Sequence, residues 1–160
     1  MNTSNDRLVA LVAKQKEEQS QPKSKNEQNK IQILKALKKI KAKQVEVSYS
    51  GSGDSGQVDS VRVFGAKNKE LATNVKIPFI TETQTFDKDK NQWVRHLQKV
   101  SMTLEKALED LAYDSVYIHH AGWENNDGAS GFVSIDVSKG TFSLQHTEYY
   151  TESNTYEHEL

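Results

Sequence analysis

Apolar side chains early in the chain recur at three- and four-residue intervals: Ile31, Ile33, Leu34, Leu37 and Ile40. This spacing predicts a helix over 26–42, because positions three and four apart share one helical face. Ser24, followed three residues later by Glu27, has the form of a capping box at its start. The other face carries Lys35, Lys38, Lys39 and Lys43 and reads as solvated. The period then drops to two. Val45, Val47 and Tyr49 alternate with Glu46 and Ser48, and Val61 and Val63 with Ser60 and Arg62. These segments predict an antiparallel hairpin whose tip is the stretch SGSGDSGQ at 50–57. A shorter strand is expected at 76–80. Further on, Trp93, Leu97, Val100, Leu104, Leu108 and Leu111 step by four and three, which predicts a long amphipathic helix over 91–113. A loop at 119–131, HHAGWENNDGASG, leads into strands FVSIDV and TFSLQH, joined by a three-residue turn at 138–140 with Gly140 in a left-handed position. That turn sets residue 132 opposite 146.

These elements predict an α+β fold: an antiparallel sheet of four to five strands with two main helices packed on one face. The chain of 160 residues, 35% hydrophobic, suits one core. The expected organisation is a flexible basic N-terminal arm over 1–25 and a single α+β domain over 26–160. Between Lys14 and Lys30 the only apolar residue is Pro22, so this run cannot offset its ordering entropy and reads as a linker. Charge sharpens the division. The net charge of -1 conceals eleven Lys and Arg against four Asp and Glu in residues 1–43, with ten against eighteen in the remainder. Such an arm admits nucleic acid as a partner through residues 1–43, held by salt-sensitive counterion release, or else an acidic protein surface.

Cysteine is absent, which excludes disulfides, thiolate zinc sites and cysteine nucleophiles and suits a cytoplasmic setting. The run LVALVA at 8–13 falls short of a signal-peptide core of at least about seven apolar residues, or of a membrane helix of about twenty, so no membrane association is expected.

The letters GDSG around Ser55 match the nucleophile motif of trypsin-like proteases, yet all five histidines (His96, His119, His120, His146, His158) follow that serine. Such a protease needs its histidine and aspartate upstream and two barrels around the site. The glycines read instead as a hairpin tip, with Gly51, Gly53 and Gly56 free to take positive φ and Asp54 placed for an Asx turn. In the second loop, Glu124, Asn125, Asn126 and Asp127 bring four oxygen-bearing side chains together, without the alternate-position spacing of a calcium loop. The stretch 87–98 imitates that spacing better through Asp87, Asp89 and Asn91, but has Gln92 in the glycine position and Gln98 in the glutamate position. His146 shares a strand face with Phe142 and Leu144 and lies near the acidic loop, where it can clamp the loop, bind a metal or donate a proton. Adjacent His119 and His120 point to opposite faces of an extended chain and do not readily share a ligand.

The combination of GSGDSGQVDSVRV, AGWENNDGASGFVSIDV and FSLQHTEYY is similar to an uncharacterised family of small bacterial and mobile-element proteins, described as a domain of unknown function. Its pattern is a GxGDSGQ hairpin tip, a helix, a GWExNDGxxG loop and a histidine-bearing strand. Carried over, it marks Gly53, Asp54, Ser55, Gly56, Gln57, Gly122, Trp123, Glu124, Asn126, Asp127, Gly128, Gly131 and His146, within residues 44–150. The resemblance implies no activity; for a mobile-element protein it is compatible with inhibition of a host defence complex. The expected function is non-enzymatic binding of a protein partner, with no cofactor and no resident metal. The expected binding surface is Gly53, Asp54, Ser55, Gln57, Trp123, Glu124, Asn125, Asn126, Asp127 and His146. The alternatives are a metal-dependent hydrolase using Asp54, Glu124, Asp127 and His146, and a nucleic-acid binder led by the basic arm. The two loops are expected to meet, with Trp123 buried beneath them and its indole N–H bonded to an acceptor such as Asp54.

Overall fold

The computed structural model describes Val9 and residues 25–160. The expected arm over 1–25, Val9 and Lys25 apart, lies outside the described residues, as does the cap at Ser24. Helix α1 runs through residues 25–39. It stops before 42 because Lys41 turns left-handed at φ 62. There Lys41 N–H bonds Lys38 O at 3.1 Å and Ala42 N–H bonds Leu37 O at 2.9 Å, the bond pair that closes a helix end. A helix from residue 25 overturns the linker reading for 25–30. The ordering comes from a hydrogen-bonded amide: Asn29, only 1% exposed, donates to Ile80 O at 3.0 Å and accepts from Ile80 N–H at 2.8 Å.

Six strands and a second helix follow: β1 (Gln44–Ser52), β2 (Ser55–Phe64), β3 (Lys76–Asp87), β4 (Gln92–Thr103), α2 (Leu104–His119), β5 (Ala129–Asp136) and β6 (Thr141–Glu148). The architecture is α+β. One antiparallel sheet has the order β2-β1-β5-β6, and β3 and β4 form a separate two-stranded sheet. Val45, Val47 and Tyr49 of β1 are buried, and the first two pack in one cluster with Ile33 and Leu37 of α1, Leu104, Leu108 and Leu111 of α2, and Val133 and Ile135 of β5. Burying each such side chain is worth about 1.5–3 kcal/mol, which makes this face the one the helices must cover. The opposite face stays polar: Ser48 and Ser60 share a 2.7 Å bond across β1 and β2.

The structure corrects four further expectations. Residues 92–103 are strand, so the helix expected over 91–113 starts only at Leu104, capped by Thr103, whose side chain accepts from Lys106 N–H at 3.2 Å. Trp93 and Leu97 are exposed on β4, and the helical spacing arose from a strand joined end to end with a helix. The turn before it is built by Asp87, whose Oδ1 accepts from the N–H groups of Asp89 (3.0 Å) and Lys90 (3.3 Å). That hairpin turn occupies the stretch that imitated a calcium loop, and β3 extends to Asp87 instead of ending at residue 80.

The expected eight-residue tip at 50–57 is a two-residue turn. Ser52 pairs with Ser55, and Gly53 (φ 55) with Asp54 (φ 69) form the bend, a doubly left-handed turn that matches strand twist. Finally, Asp136 pairs with Thr141 and Gly131 with His146. The β5–β6 register is therefore one residue away from the expected one, with four residues in the turn.

Candidate functional site

Two rows of residues cross the end of the four-stranded sheet on its helix-covered face. One is Tyr49–Gly131–His146, and the next is Gly56–Gly51–Ala129–Glu148. The middle of each row is small, and an aromatic ring fills the space. A Cβ on Gly131 would lie 2.5 Å from the Tyr49 hydroxyl. Glycine thus lets the phenol cross β5 and bond His146 Nδ1 at 2.5 Å. A Cβ on Gly51 would lie 2.7 Å from Cζ3 of Trp123, and one on Gly56 would lie 2.6 Å from its Cζ2. Gly51 and Gly56 therefore serve as a floor for the indole. Among the glycines of this motif, only Gly53 has positive φ.

Trp123 is 5% exposed and meets Tyr49 edge-on at 5.2 Å and Tyr113 at 6.1 Å between ring centroids. The loop that delivers it folds through successive turns: Trp123 N–H bonds His120 O at 3.1 Å, Asn125 N–H bonds Gly122 O at 3.0 Å and Gly128 N–H bonds Asn125 O at 3.0 Å. This path presents two loop carbonyls to the hairpin turn. Asp54 N–H bonds Glu124 O at 3.1 Å, and Gly53 N–H bonds Asn126 O at 3.2 Å. Asp54 thus joins the loop through its main chain, where its carboxylate was expected to accept from the indole. The indole Nε1 is buried with no hydrogen-bond partner among the described residues. After β6 the chain returns along the loop: Tyr149 N–H bonds Gly128 O at 3.0 Å, and Thr151 Oγ1 donates to Asp127 Oδ2 at 2.6 Å.

The residues singled out from sequence divide in two. Gly53, Asp54, Ser55, Gln57, Asn125, Asn126 and Asp127 are exposed along the joined turn and loop, with Glu124 half-buried beside them. Trp123 and His146 face inward. The His146 side chain is 4% exposed and stacks on His120 with centroids 3.9 Å apart. Glu148 Oε1 lies 3.5 Å from His120 Nδ1 and 3.6 Å from His146 Nε2. Burial holds the His146 pKa below the usual imidazole range; the charge of His120 adds to this, and Glu148 opposes it. Burial pushes the Tyr49 phenol up to about 12.

The carboxylate that meets His146 is therefore Glu148, a residue outside the hydrolase set of Asp54, Glu124 and Asp127. The ligand atoms of His120, His146 and Glu148 all lie within 4.8 Å of one another, so these described residues form a group able to hold a metal ion. Sequence reasoning missed His120, Glu148 and the Tyr49 clamp. One signal was present: the alternation in HTE places His146 and Glu148 on the same strand face.

Fold and site together define an α+β protein whose sheet end is closed by a loop locked onto a hairpin turn. The chain matches DUF6878, described as a family of unknown function, over residues 25–160, and it belongs to that family. No curated protein and no solved structure matches it. Among the described residues no helix is long and apolar enough to cross a membrane.

Proposed function

We propose that this chain is a small binding protein that engages a protein partner through the joined turn and loop, with Gly53, Asp54, Ser55, Gln57, Asn125, Asn126 and Asp127 as the contact rim. Trp123 and His146 set its shape from beneath. The observation that carries the reading is the main-chain seam, Gly53 to Asn126 and Asp54 to Glu124. Fixing a backbone residue costs about 1–2 kcal/mol. Two loops already locked together bring that ordering to an encounter in advance, which strengthens binding. Beside the rim lies a depression of about 480 Å³, lined by Ser50, Ser52, Ser55, Gln57, Asp127 and Tyr149 among others. Rim and depression are rich in acceptors and hydroxyls, chemistry that suits a partner offering backbone N–H groups or basic side chains.

The test begins with affinity capture from a lysate and identification of the captured protein by mass spectrometry. Binding of that protein is then measured for Ser55→Ala, Asn125→Ala and Asp54→Lys. Loss of affinity by at least about tenfold, equivalent to about 1.4 kcal/mol, at unchanged melting temperature supports the rim. A captured partner that binds all three variants as it binds the parent chain overturns it.

A further inference from the structure

We propose that His120, His146 and Glu148 form a binding site for one divalent transition-metal ion of the zinc class, taken by His120 Nδ1, His146 Nε2 and Glu148 Oε1. The site lies between the end of α2 and the end of β6, and it stands independently of any partner bound at the rim.

The first argument is the state of His146. Its Nδ1 is held by the Tyr49 hydroxyl at 2.5 Å. When the Tyr49 hydroxyl accepts from Nδ1–H, the ring is held in place and the opposite nitrogen keeps the lone pair that a metal takes. That opposite nitrogen, Nε2, is buried on a side chain only 4% exposed and has no hydrogen-bond partner among the described residues. Buried polar atoms are almost always satisfied, and an orphan of this kind calls for an explanation. Here the orphan lies 3.6 Å from a carboxylate oxygen, with a second imidazole stacked on the face of its own ring.

Spacing is the second argument. Ligands about 2.0–2.1 Å from a tetrahedral ion stand about 3.3–3.4 Å apart. Glu148 Oε1 is already 3.5 Å from His120 Nδ1 and 3.6 Å from His146 Nε2. The remaining separation, between the two imidazole nitrogens, is at most 4.8 Å. It closes if the His120 ring tips out of its stack on His146, and that side chain, 34% exposed, has solvent beside it into which to turn. Ligand type then selects the ion, since two imidazoles and one carboxylate favour zinc, cobalt, nickel or copper over calcium and magnesium, which prefer all-oxygen shells. Glu148 is 68% exposed, so the ion has a route from solvent and one coordination position remains for water.

The test uses the full chain, stripped with EDTA and dialysed, then titrated with zinc chloride by calorimetry and with cobalt chloride by visible absorption. The expected result is one equivalent of zinc bound at micromolar affinity or tighter, four-coordinate cobalt bands, a raised melting temperature with zinc, and no response to magnesium or calcium. His120→Ala and Glu148→Gln, both at residues with solvent-accessible side chains, abolish the cobalt bands while the chain stays folded. Tyr49→Phe weakens zinc binding by about 10–100-fold, as loss of an outer partner does. Absence of stoichiometric zinc and cobalt binding in the parent chain overturns the proposal. So does binding that persists unchanged in the His120→Ala, Glu148→Gln double variant. Variants at Ser55 and Asn125 leave metal binding untouched, which separates this test from that of the partner rim.

Discussion

The two tryptophans sit beside two hairpins and meet opposite fates. At the β1–β2 turn, Trp123 comes from a distant loop, lies on Gly51 and Gly56, and is 5% exposed. At the β3–β4 turn, Trp93 belongs to the hairpin itself, meets Phe86 edge-on at 5.5 Å, and is 66% exposed. The first hairpin is part of a four-stranded sheet closed by a non-local segment. The second is a two-stranded ribbon, a structure only marginally stable alone. Its outer half is held by local pairs, including a two-pronged contact from Arg95 to Glu82 at 2.7 and 2.6 Å and a 2.7 Å bond between Thr85 and His96. An aromatic ring therefore becomes core when another part of the chain brings it to a floor prepared for it. A neighbour on the adjoining strand does not suffice.

The largest effect expected is on the closed end. Trp123→Ala removes a ring packed against Tyr49, Tyr113 and a glycine floor, and lowers stability by about 3–5 kcal/mol as a large-to-small core change. Urea unfolding measures it; a decrease below about 1 kcal/mol, no larger than surface changes produce, erases the contrast between the hairpins. Next comes the anchor of the ribbon on α1. Asn29→Ala leaves Ile80 N–H and C=O without their partner, at about 1–3 kcal/mol for each buried group left unpaired. Hydrogen exchange at Ile80 then accelerates, while exchange at Tyr49 and Val133 in the four-stranded sheet keeps pace with global unfolding. Equal acceleration in both sheets means that ribbon and sheet open as one unit.

Dryness of the closed end has its own measure. The Tyr49 phenol, pushed up to about 12 by burial, stays protonated in the fold where the unfolded chain ionises near 10. A raised acid pKa means the folded state holds the proton longer. Its stabilising contribution is therefore complete below pH 10 and declines as pH rises from about 10 toward 12. Ultraviolet titration of the folded chain shows one late phenolate step that disappears in Tyr49→Phe. An early step for Tyr49 means that water reaches the row Tyr49–Gly131–His146.

Much of this was legible along the chain. The period-two segments of β1, β2, β5 and β6 and the period of α1 were readable because one face of each is buried and the other is wet. The meeting of the two loops was readable because the Gly- and Asn-rich loop at 119–131 needs contacts to order it, although the tip it meets is itself a plain two-residue turn. Three features were hidden, each for a physical reason. Trp93, Leu97 and Val100 lead into Leu104 at helical spacing, although the first two are exposed on a strand; the polar DKDKN turn at 87–91, with Asp87 accepting two backbone bonds, was the contrary signal. Asn29 is a core residue only because Ile80 faces it, fifty-one positions away. His120, His146 and Glu148 converge only once the register of β6 is known to the residue, and the expected register was off by one.

Trp93→Ala is the smallest change and the sharpest check on the comparison. The ring is exposed, so its removal leaves no cavity and breaks a single cross-strand aromatic pair, the one with Phe86. Such pairs contribute about 0.2–1 kcal/mol, and surface substitutions generally stay within about 0.5 kcal/mol. Global stability from urea unfolding should fall by less than about 1 kcal/mol. The local effect is larger in kind: with Phe86 unpaired, amides near the 88–91 turn exchange faster, while those of β1 and β5 do not. The two rings also separate by quenching, because iodide reaches Trp93 in the parent chain and finds little to quench once only Trp123 remains. If Trp93→Ala instead destabilises the chain as much as Trp123→Ala, the ribbon is covered in solution by something that buries its tip, and the two hairpins are alike after all.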